Sequence, residues 1–142
     1  MTGYYVSTDK SMLNIDVIHS YLARSYWAKG IPREIVEKGI ANSLCFGAYH
    51  DGDQVGFARV VSDFCVFAYL ADVFVLEEHR GKGISKLIME EVVKHPELQG
   101  LRRFMLATRD AHGLYEQYGF TPVKNPERIM EIVNPDAYLK HT

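Results

Sequence analysis

The stretch of sequence that decides the fold is Val73-Phe74-Val75-Leu76-Glu77-Glu78-His79-Arg80-Gly81-Lys82-Gly83-Ile84-Ser85-Lys86. An apolar, β-branched run ends in a short polar link, and a glycine-rich turn then opens a helical pattern. At the start of a helix, successive backbone N–H groups lack an intrahelical partner and carry partial positive charge. Glycine tolerates positive φ and lets a ligand approach the backbone closely. The stretch therefore predicts a strand, a phosphate-binding turn and a helix, in that order.

Three phosphate-binding motifs can be compared with this turn. A Walker loop requires Ser or Thr after its Gly-Lys pair, but Gly83 follows Lys82. A dinucleotide fingerprint would place a small residue at Lys86, and it usually opens a Rossmann domain instead of lying past the middle of a chain. The third pattern, [Gln/Arg]-x-x-Gly-x-[Gly/Ala], is met by Arg80 and Gly83, with Ser85 replacing the final small residue.

Hydrophobic periodicity and turn residues predict the other elements. In chain order these are a strand at Tyr4–Ser7, a helix capped by Asn14 or Asp16 that ends near Gly30, a helix from Pro32 to Ile40, strands at Leu44–Tyr49, Val55–Ser62 and Phe64–Leu76, a helix at Ser85–Lys94, a strand at Phe104–Ala107, a helix at Asp110–Tyr118, and closing strands at Phe120–Val123 and Ile129–Val133. The predicted strand Phe64–Leu76 is apolar along most of its length, which predicts burial on both faces. Hairpins mixed with strand-helix-strand crossovers predict a mixed sheet with helices on both faces.

A second motif follows the turn, Ala111-His112-Gly113-Leu114-Tyr115-Glu116-Gln117-Tyr118-Gly119-Phe120. Together the two motifs resemble those of the GNAT superfamily of acyl-CoA N-acetyltransferases, whose second motif closes as Ala-x-x-Leu-Tyr-x-x-x-Gly-Phe. The resemblance spans about Leu44 to Phe120. It implies an α/β fold of the α+β type: a mixed, mostly antiparallel sheet of six to seven strands with helices on both faces. We expect one such domain over residues 1–142.

The resemblance also implies acetyl-CoA as the acyl donor substrate and no metal. In the family, the backbone of the strand before the loop pairs with the pantetheine arm, a role that falls here on Val73, Phe74 and Val75. A bulge in that strand would open a slot for the thioester. The pyrophosphate would be held by the amides of Arg80, Gly81, Lys82, Gly83, Ile84 and Ser85. Thr108 stands where many relatives carry an asparagine that contacts the cofactor, and Asp110 is the candidate to replace it.

The resemblance assigns Tyr115 a place near the CoA sulfur, where a phenol that is protonated at neutral pH can donate a proton to the departing thiolate. The alternative is a packing aromatic. Asp72 interrupts an apolar strand, and it is a candidate general base or, equally, a carboxylate that binds loop amides or Arg59. Asp63 is a second candidate base, and His112 a third, although a structural role is favoured for both. A base relayed by water also fits the chemistry.

The acceptor pocket is expected to be formed by the first two helices and the strands beyond them. Its candidate walls are Tyr26, Trp27, Phe46 and Tyr49, although aromatic residues at such spacings usually belong to the core. Trp27, beside the predicted helix stop, is the strongest candidate for the pocket. Asp63 or Asp72 could attract a cationic amine.

Three functions remain open from the sequence. The favoured one is transfer of an acetyl group to a primary amine of a small molecule. A protein or peptide acetyltransferase would use the same chemistry, and a non-catalytic CoA-binding regulatory module would not. The sequence does not distinguish a small-molecule amine from a protein or peptide amine as the acceptor.

Composition and charge narrow the remaining possibilities. Apolar residues make up 47% and charged residues 24% of the chain, as in ordinary globular proteins. A net charge of -2 argues against a nucleic-acid partner. No signal-peptide pattern and no membrane-spanning run is visible, so we expect a cytoplasmic protein with no membrane partner. Cys45 and Cys65 are both expected to be reduced core residues. Ile129–Val133 and the tail after it could pair with a second copy to form a homodimer.

Overall fold

A computed structural model describes residues 3–139 and contains a five-stranded sheet with the strand order β1-β2-β3-β4-β5. The helices and strands are β1 (Tyr4–Ser7), α1 (Ile15–Ala23), α2 (Arg33–Ala41), β2 (Leu44–His50), β3 (Asp53–Ser62), β4 (Phe67–Val75), α3 (Ile84–Lys94), β5 (Arg103–Leu106) and α4 (His112–Glu116). Neighbouring strands are antiparallel except for β4 and β5, which are parallel because α3 connects them. The predicted mixed, mostly antiparallel α/β architecture is therefore confirmed.

Local signals in the sequence explain where most elements begin. The side chain of Asn14 accepts a hydrogen bond from the backbone N–H of Val17 and caps α1. Pro32 is the N-cap residue of α2. The hairpin between β2 and β3 turns at Asp51 and Gly52, which both have positive φ.

Helices cover both faces of the sheet. On one face, α1 and α2 pack over Cys45, Phe57 and Phe74. On the other face, α3 packs over side chains that alternate with these along the strands, including Phe46 and Val60. This alternation follows from the two-residue period of a strand, and it places α1 and α3 on opposite sides of β4.

A bulge interrupts β4 where the sheet opens. Phe57 pairs with Phe74 and Arg59 pairs with Ala71, so that two residues of β4 lie opposite one residue of β3. Asp72, within this bulge, has a φ of 58°, a left-handed conformation that is unusual for a residue other than glycine. The pairing of β4 with β5 ends at Leu70 and Leu106. Beyond that point the two strands no longer pair, which produces the predicted opening in the sheet.

Several predicted element boundaries are corrected by the structure. The first helix ends at Ala23 and not near Gly30, since Gly30 N–H donates to Ala23 O and closes a loop after the helix. The last helix is shorter than predicted, and Asp110 precedes it. The segments Phe120–Val123 and Ile129–Val133 are not strands within the described residues, which lowers the strand count to five.

Two burial predictions are also wrong. The first concerns the predicted strand Phe64–Leu76, which was expected to be buried on both faces, whereas Phe67 and Tyr69 of β4 are exposed to solvent. The helices α1 and α2 do not extend over this end of the sheet. The second is that both cysteines are core residues: Cys45 is buried, but Cys65 lies exposed in the turn between β3 and β4.

Candidate active site

The glycine-rich turn forms a cradle of unpaired backbone N–H groups. Gly81 and Gly83 have φ values of 77° and 78°, and Gly83 is the N-cap residue of α3. The first intrahelical bond runs from Leu87 N–H to Gly83 O. None of the N–H groups of residues 81–86 donates to another residue in the described part of the chain. These groups lie at the N-terminal end of α3, the positive end of the helix dipole, where an anion is stabilised.

Arg80 does not contribute its amide to this cradle. Its N–H donates to Glu77 O within a short 3₁₀ turn, so the predicted row of donors begins one residue later, at Gly81. The guanidinium donates to Val75 O at 3.1 Å and to the Tyr21 hydroxyl at 2.6 Å. The Arg80 side chain therefore connects α1 to the end of β4, next to the cradle.

The cradle opens into a cavity of about 360 Å³ that follows the end of β4. Its walls bring together most of the residues predicted to contact the cofactor: Val73, Phe74, Val75, Arg80, Gly81, Gly83, Ile84 and Ser85. Lys82 is exposed and does not line this cavity, so its contact with the cofactor stays a prediction. Trp27 and Tyr115 also line this cavity.

Tyr115 lies where three spaces meet. It lines the cavity beside the cradle, the cleft between β4 and β5, and a groove beside β5. The residue is 9% exposed, and burial raises the pKa of its phenol, with further contributions from Tyr26 and Asp110. Within residues 3–139 its hydroxyl has no hydrogen-bond partner. A protonated phenol in this position can donate to an atom in either the cavity or the cleft.

Both carboxylate oxygens of Asp72 are hydrogen-bonded. Trp27 Nε1 donates to Oδ1 at 2.9 Å, and Arg59 Nε donates to Oδ2 at 2.9 Å. The side chains of Arg59 and Asp72 are 24% and 13% exposed, so this ion pair is largely removed from water. The observed pairing with Arg59 is the structural alternative that the sequence left open for Asp72, and a role as general base stays a prediction.

The cleft between β4 and β5 has a volume of about 610 Å³. The loop between α1 and α2 forms one wall with Tyr26 and Trp27. This loop is held on both sides of the opening, because Trp27 bonds to Asp72 on β4 and the Arg109 guanidinium lies 3.8 Å from the Tyr26 ring centre. Asp110 also lines the cleft. Tyr26, Trp27 and Asp72, which were predicted near the acceptor, therefore share one space. Asp110, which was predicted to contact the cofactor, lines this cleft and not the cavity beside the cradle.

Three other candidates lie elsewhere. Asp63 Oδ1 accepts hydrogen bonds from the backbone N–H groups of residues 65, 66 and 67, which lowers the pKa of its carboxyl and orders the β3–β4 turn. Phe46 is fully buried under α3 against His95 and does not line the cleft, which corrects its assignment to the pocket. Tyr49 is 1% exposed and also belongs to the interior.

Two residues near the site were missed by the sequence reasoning. Tyr21 stacks on Phe74 with ring centres 4.1 Å apart and binds Arg80 through its hydroxyl, although its spacing indicated only a core position in α1. Arg109 contacts Tyr26 from the other side of the cleft. The sequence offered one signal for Arg109, its position beside Asp110. Arg109 and Tyr26 are 83 residues apart in the chain, so local sequence could not predict their contact.

Comparisons with known proteins agree with this arrangement. A family model for the acetyltransferase (GNAT) domain matches residues 41–122, which include the cradle, the bulge and Tyr115. The chain belongs to the GNAT family of acetyltransferases. This family membership confirms the resemblance carried by the two sequence motifs.

Individual relatives extend the match beyond that range. "Putative acetyltransferase FG08082" of Gibberella zeae is 32% identical over 135 residues, covering 79% of this chain and 75% of the relative. A crystal structure of a GNAT-family protein from Xanthomonas campestris pv. campestris is 56% identical, covers 99% of both chains and has a TM-score of 0.95. A GNAT acetyltransferase from Elizabethkingia anophelis, crystallised with acetyl-CoA, has a TM-score of 0.66 at 14% identity and covers 95% of this chain and 91% of its own.

No helix within residues 3–139 has the length and apolar character needed to cross a membrane. The longest, α3, has eleven residues and carries several charged side chains along its outer face.

Proposed function

We propose that the protein transfers an acetyl group from acetyl-CoA to the primary amine of a small molecule. The observation that carries this proposal is the position of Tyr115, which lines both the cavity that begins at the cradle and the cleft between β4 and β5. A donor that extends from the cradle along β4 would present its thioester where an acceptor in the cleft can reach it. Proximity of this kind lowers the barrier without a protein nucleophile.

The cradle fits the pyrophosphate of acetyl-CoA by its chemistry. The unpaired N–H groups of residues 81–86 offer donors and positive potential, and both glycines hold the turn in the conformation that exposes them. Acetyl-CoA bound to the E. anophelis protein, which has a similar fold, supports the choice of donor. The edge of β4 at Val73–Val75 would hold the pantetheine arm.

In the reaction, the amine nitrogen attacks the thioester carbonyl carbon and the carbon–sulfur bond breaks. Backbone N–H groups of Val73 or Phe74 would stabilise the oxyanion. Tyr115 would donate its proton to the departing thiolate, and burial favours this role because it keeps the phenol protonated at neutral pH. The proton lost by the amine would leave through water in the cleft.

Asp72 is assigned a positioning role in this proposal. Both of its oxygens already accept hydrogen bonds, and its charge is balanced by the Arg59 guanidinium, so it would hold the bulge and Trp27 in place. A small amine is favoured over a peptide because the loop carrying Tyr26 and Trp27 is tied across the opening. The cleft volume of about 610 Å³ is in the range of small-molecule sites.

The first test is thermal unfolding with acetyl-CoA, with adenosine diphosphate as the control ligand. A ligand at one hundred times its Kd stabilises a fold by about 2.7 kcal/mol, which shifts Tm by several degrees. If acetyl-CoA shifts Tm, thiol release should then be followed with a panel of small amines and with peptides bearing free N-termini or lysines. Release that depends on a small amine supports the proposal. Binding without amine-dependent release would identify a CoA-binding module instead, and no binding would overturn the donor assignment.

A further inference from the structure

The segment Ile129–Val133 presents apolar side chains to solvent. Met130 and Ile132 are 92% and 103% exposed, and Val133 is 62% exposed. None of the backbone N–H groups of residues 130–133 donates to another residue in the described part of the chain. An apolar, β-branched segment with unpaired backbone groups has the composition of a strand but lacks a neighbouring strand.

The strand β5 forms an unpaired edge of the sheet, and apolar side chains lie beside it. Within residues 3–139, β5 pairs only with β4, so the N–H and C=O groups on its other side have no strand partner. A groove of about 310 Å³ runs along this edge. Apolar side chains line much of it, namely Phe104, Met105, Leu106, Phe120, Pro122 and Val123.

We propose that the protein forms a homodimer in which Ile129–Val133 of one copy adds as a strand to the free edge of β5 in the second copy. The chain carries both the segment and the edge, and in a single copy both remain unpaired. Reciprocal exchange pairs two segments with two edges and gives a closed, two-fold symmetric assembly. Main-chain hydrogen bonds supply affinity in this mode, and alternate side chains such as Met130 and Ile132 fill the groove.

Reciprocal exchange enlarges the interface, because two segments and two strand edges are buried together. Specific interfaces bury at least about 1,200 Å² in total. Because Tyr115 and His112 also line the groove, the segment of the second copy would lie beside the proposed general acid and complete that wall of the site.

Sedimentation velocity of the full chain up to about 100 µM tests this proposal directly, since specific dimers with micromolar Kd are populated at that concentration. We expect a dimer for the wild type and an increase of at least about tenfold in the dimer Kd for Ile132→Asp. That side chain is fully exposed in a single copy, so the change should leave the fold of each copy intact. Met12→Asp, at another exposed apolar residue, is the matched control and should dimerise as the wild type does.

Hydrogen exchange identifies the interface. The amides of residues 130–133 and the free-edge amides of β5 should be protected in the wild type and should lose that protection together in Ile132→Asp. A monomer throughout the concentration range would overturn the proposal. A dimer whose Kd is unchanged by Ile132→Asp, or whose residues 130–133 exchange freely, would overturn it as well, because the interface would then lie elsewhere.

Discussion

Trp27 Nε1 donates a hydrogen bond of 2.9 Å to Asp72 Oδ1 and thereby joins the α1–α2 loop to the bulge in β4. Asp72 occupies a left-handed backbone conformation there and is also paired with Arg59. The contact couples the wall of the proposed acceptor cleft to the backbone that would contact the donor. The shape of both binding spaces thus depends on one carboxylate.

The Tyr115→Phe variant should lower kcat by about 10²- to 10⁴-fold, the usual contribution of a general acid, because it removes the proton given to the thiolate. The KM for acetyl-CoA should change by less than about twofold, since the ring and its packing remain. Steady-state kinetics with a small amine measure both. Tyr118→Phe is the matched control, because the Tyr118 hydroxyl donates only to Lys86 O, and it should retain wild-type turnover.

The pH dependence follows from the same residue. Burial raises the pKa of Tyr115 above its ordinary value near 10, so the acid form persists through neutral pH. Activity should therefore be lost only as pH rises above about 10, and this alkaline limb should be missing in Tyr115→Phe. An alkaline limb that is identical in the variant would remove Tyr115 from the proton transfer.

The Asp72→Ala variant should lower the free energy of unfolding by about 2–3 kcal/mol, because it leaves the partly buried Arg59 charge and the Trp27 N–H without an acceptor. Urea denaturation measures this change. The control is Glu77→Ala, which breaks the solvent-exposed pair with Arg24 and should change the free energy of unfolding far less.

The conservative variant Asp72→Asn separates positioning from base catalysis. The amide oxygen can still accept from Trp27, so we expect a higher KM for the amine and a fall in kcat of less than about tenfold, well below the loss expected for a missing general base. A loss of kcat of about 10³-fold, together with loss of the acidic limb of the pH–rate profile, would instead assign Asp72 as the base.

The Gly83→Ala variant should weaken acetyl-CoA binding and lower the free energy of unfolding by about 1–2 kcal/mol, because a Cβ is strained at a φ of 78°. Gly100→Ala introduces a similar strain at a φ of 73° in a loop before β5 and provides the control. Both variants should be destabilised, but only Gly83→Ala should raise the Kd measured by isothermal titration calorimetry. Equal affinities in the two variants would exclude the cradle as the anion site.

The Asp63→Ala variant should lower Tm at neutral pH, since the carboxylate orders three backbone N–H groups in the β3–β4 turn. The folded-state pKa of Asp63 is lowered below 3.8, so its stabilisation is present above pH 3.8 and is lost as pH falls through the folded pKa. The Tm difference from the wild type should therefore shrink at acidic pH. Turnover near pH 7 should be unchanged, and a large loss of kcat would restore Asp63 as a candidate base.

The Tyr49→Phe variant should be neutral or raise the free energy of unfolding by up to about 1 kcal/mol, because it removes a buried hydroxyl that has no hydrogen-bond partner in the described structure. The same burial raises the pKa of Tyr49 to about 12. Tyr4→Phe is the opposite case, since its hydroxyl bonds to His79 Nδ1 at 3.0 Å and its loss should be destabilising. Urea denaturation compares the two.

The sequence predicted features that are encoded by neighbouring residues. The glycine-rich turn after an apolar strand indicated the cradle, and Asn14 and Pro32 marked the starts of two helices. The two motifs together predicted the family and the mixed sheet. These signals are readable because backbone conformation at a cap, a turn or a strand depends mainly on the residues within a few positions.

Features that depend on packing between distant segments needed the tertiary structure. Trp27 and Asp72 are 45 residues apart in the chain, and the two alternatives for Asp72 were separated only when Arg59 and Trp27 were seen to occupy both of its oxygens. Phe46 and Trp27 are both aromatic, yet one lies in the core and the other lines the cleft. Local sequence determined the conformation of the glycine-rich turn, whereas long-range packing decided which side chains line the cavity and the cleft, because burial and pairing are properties of the assembled sheet and helices.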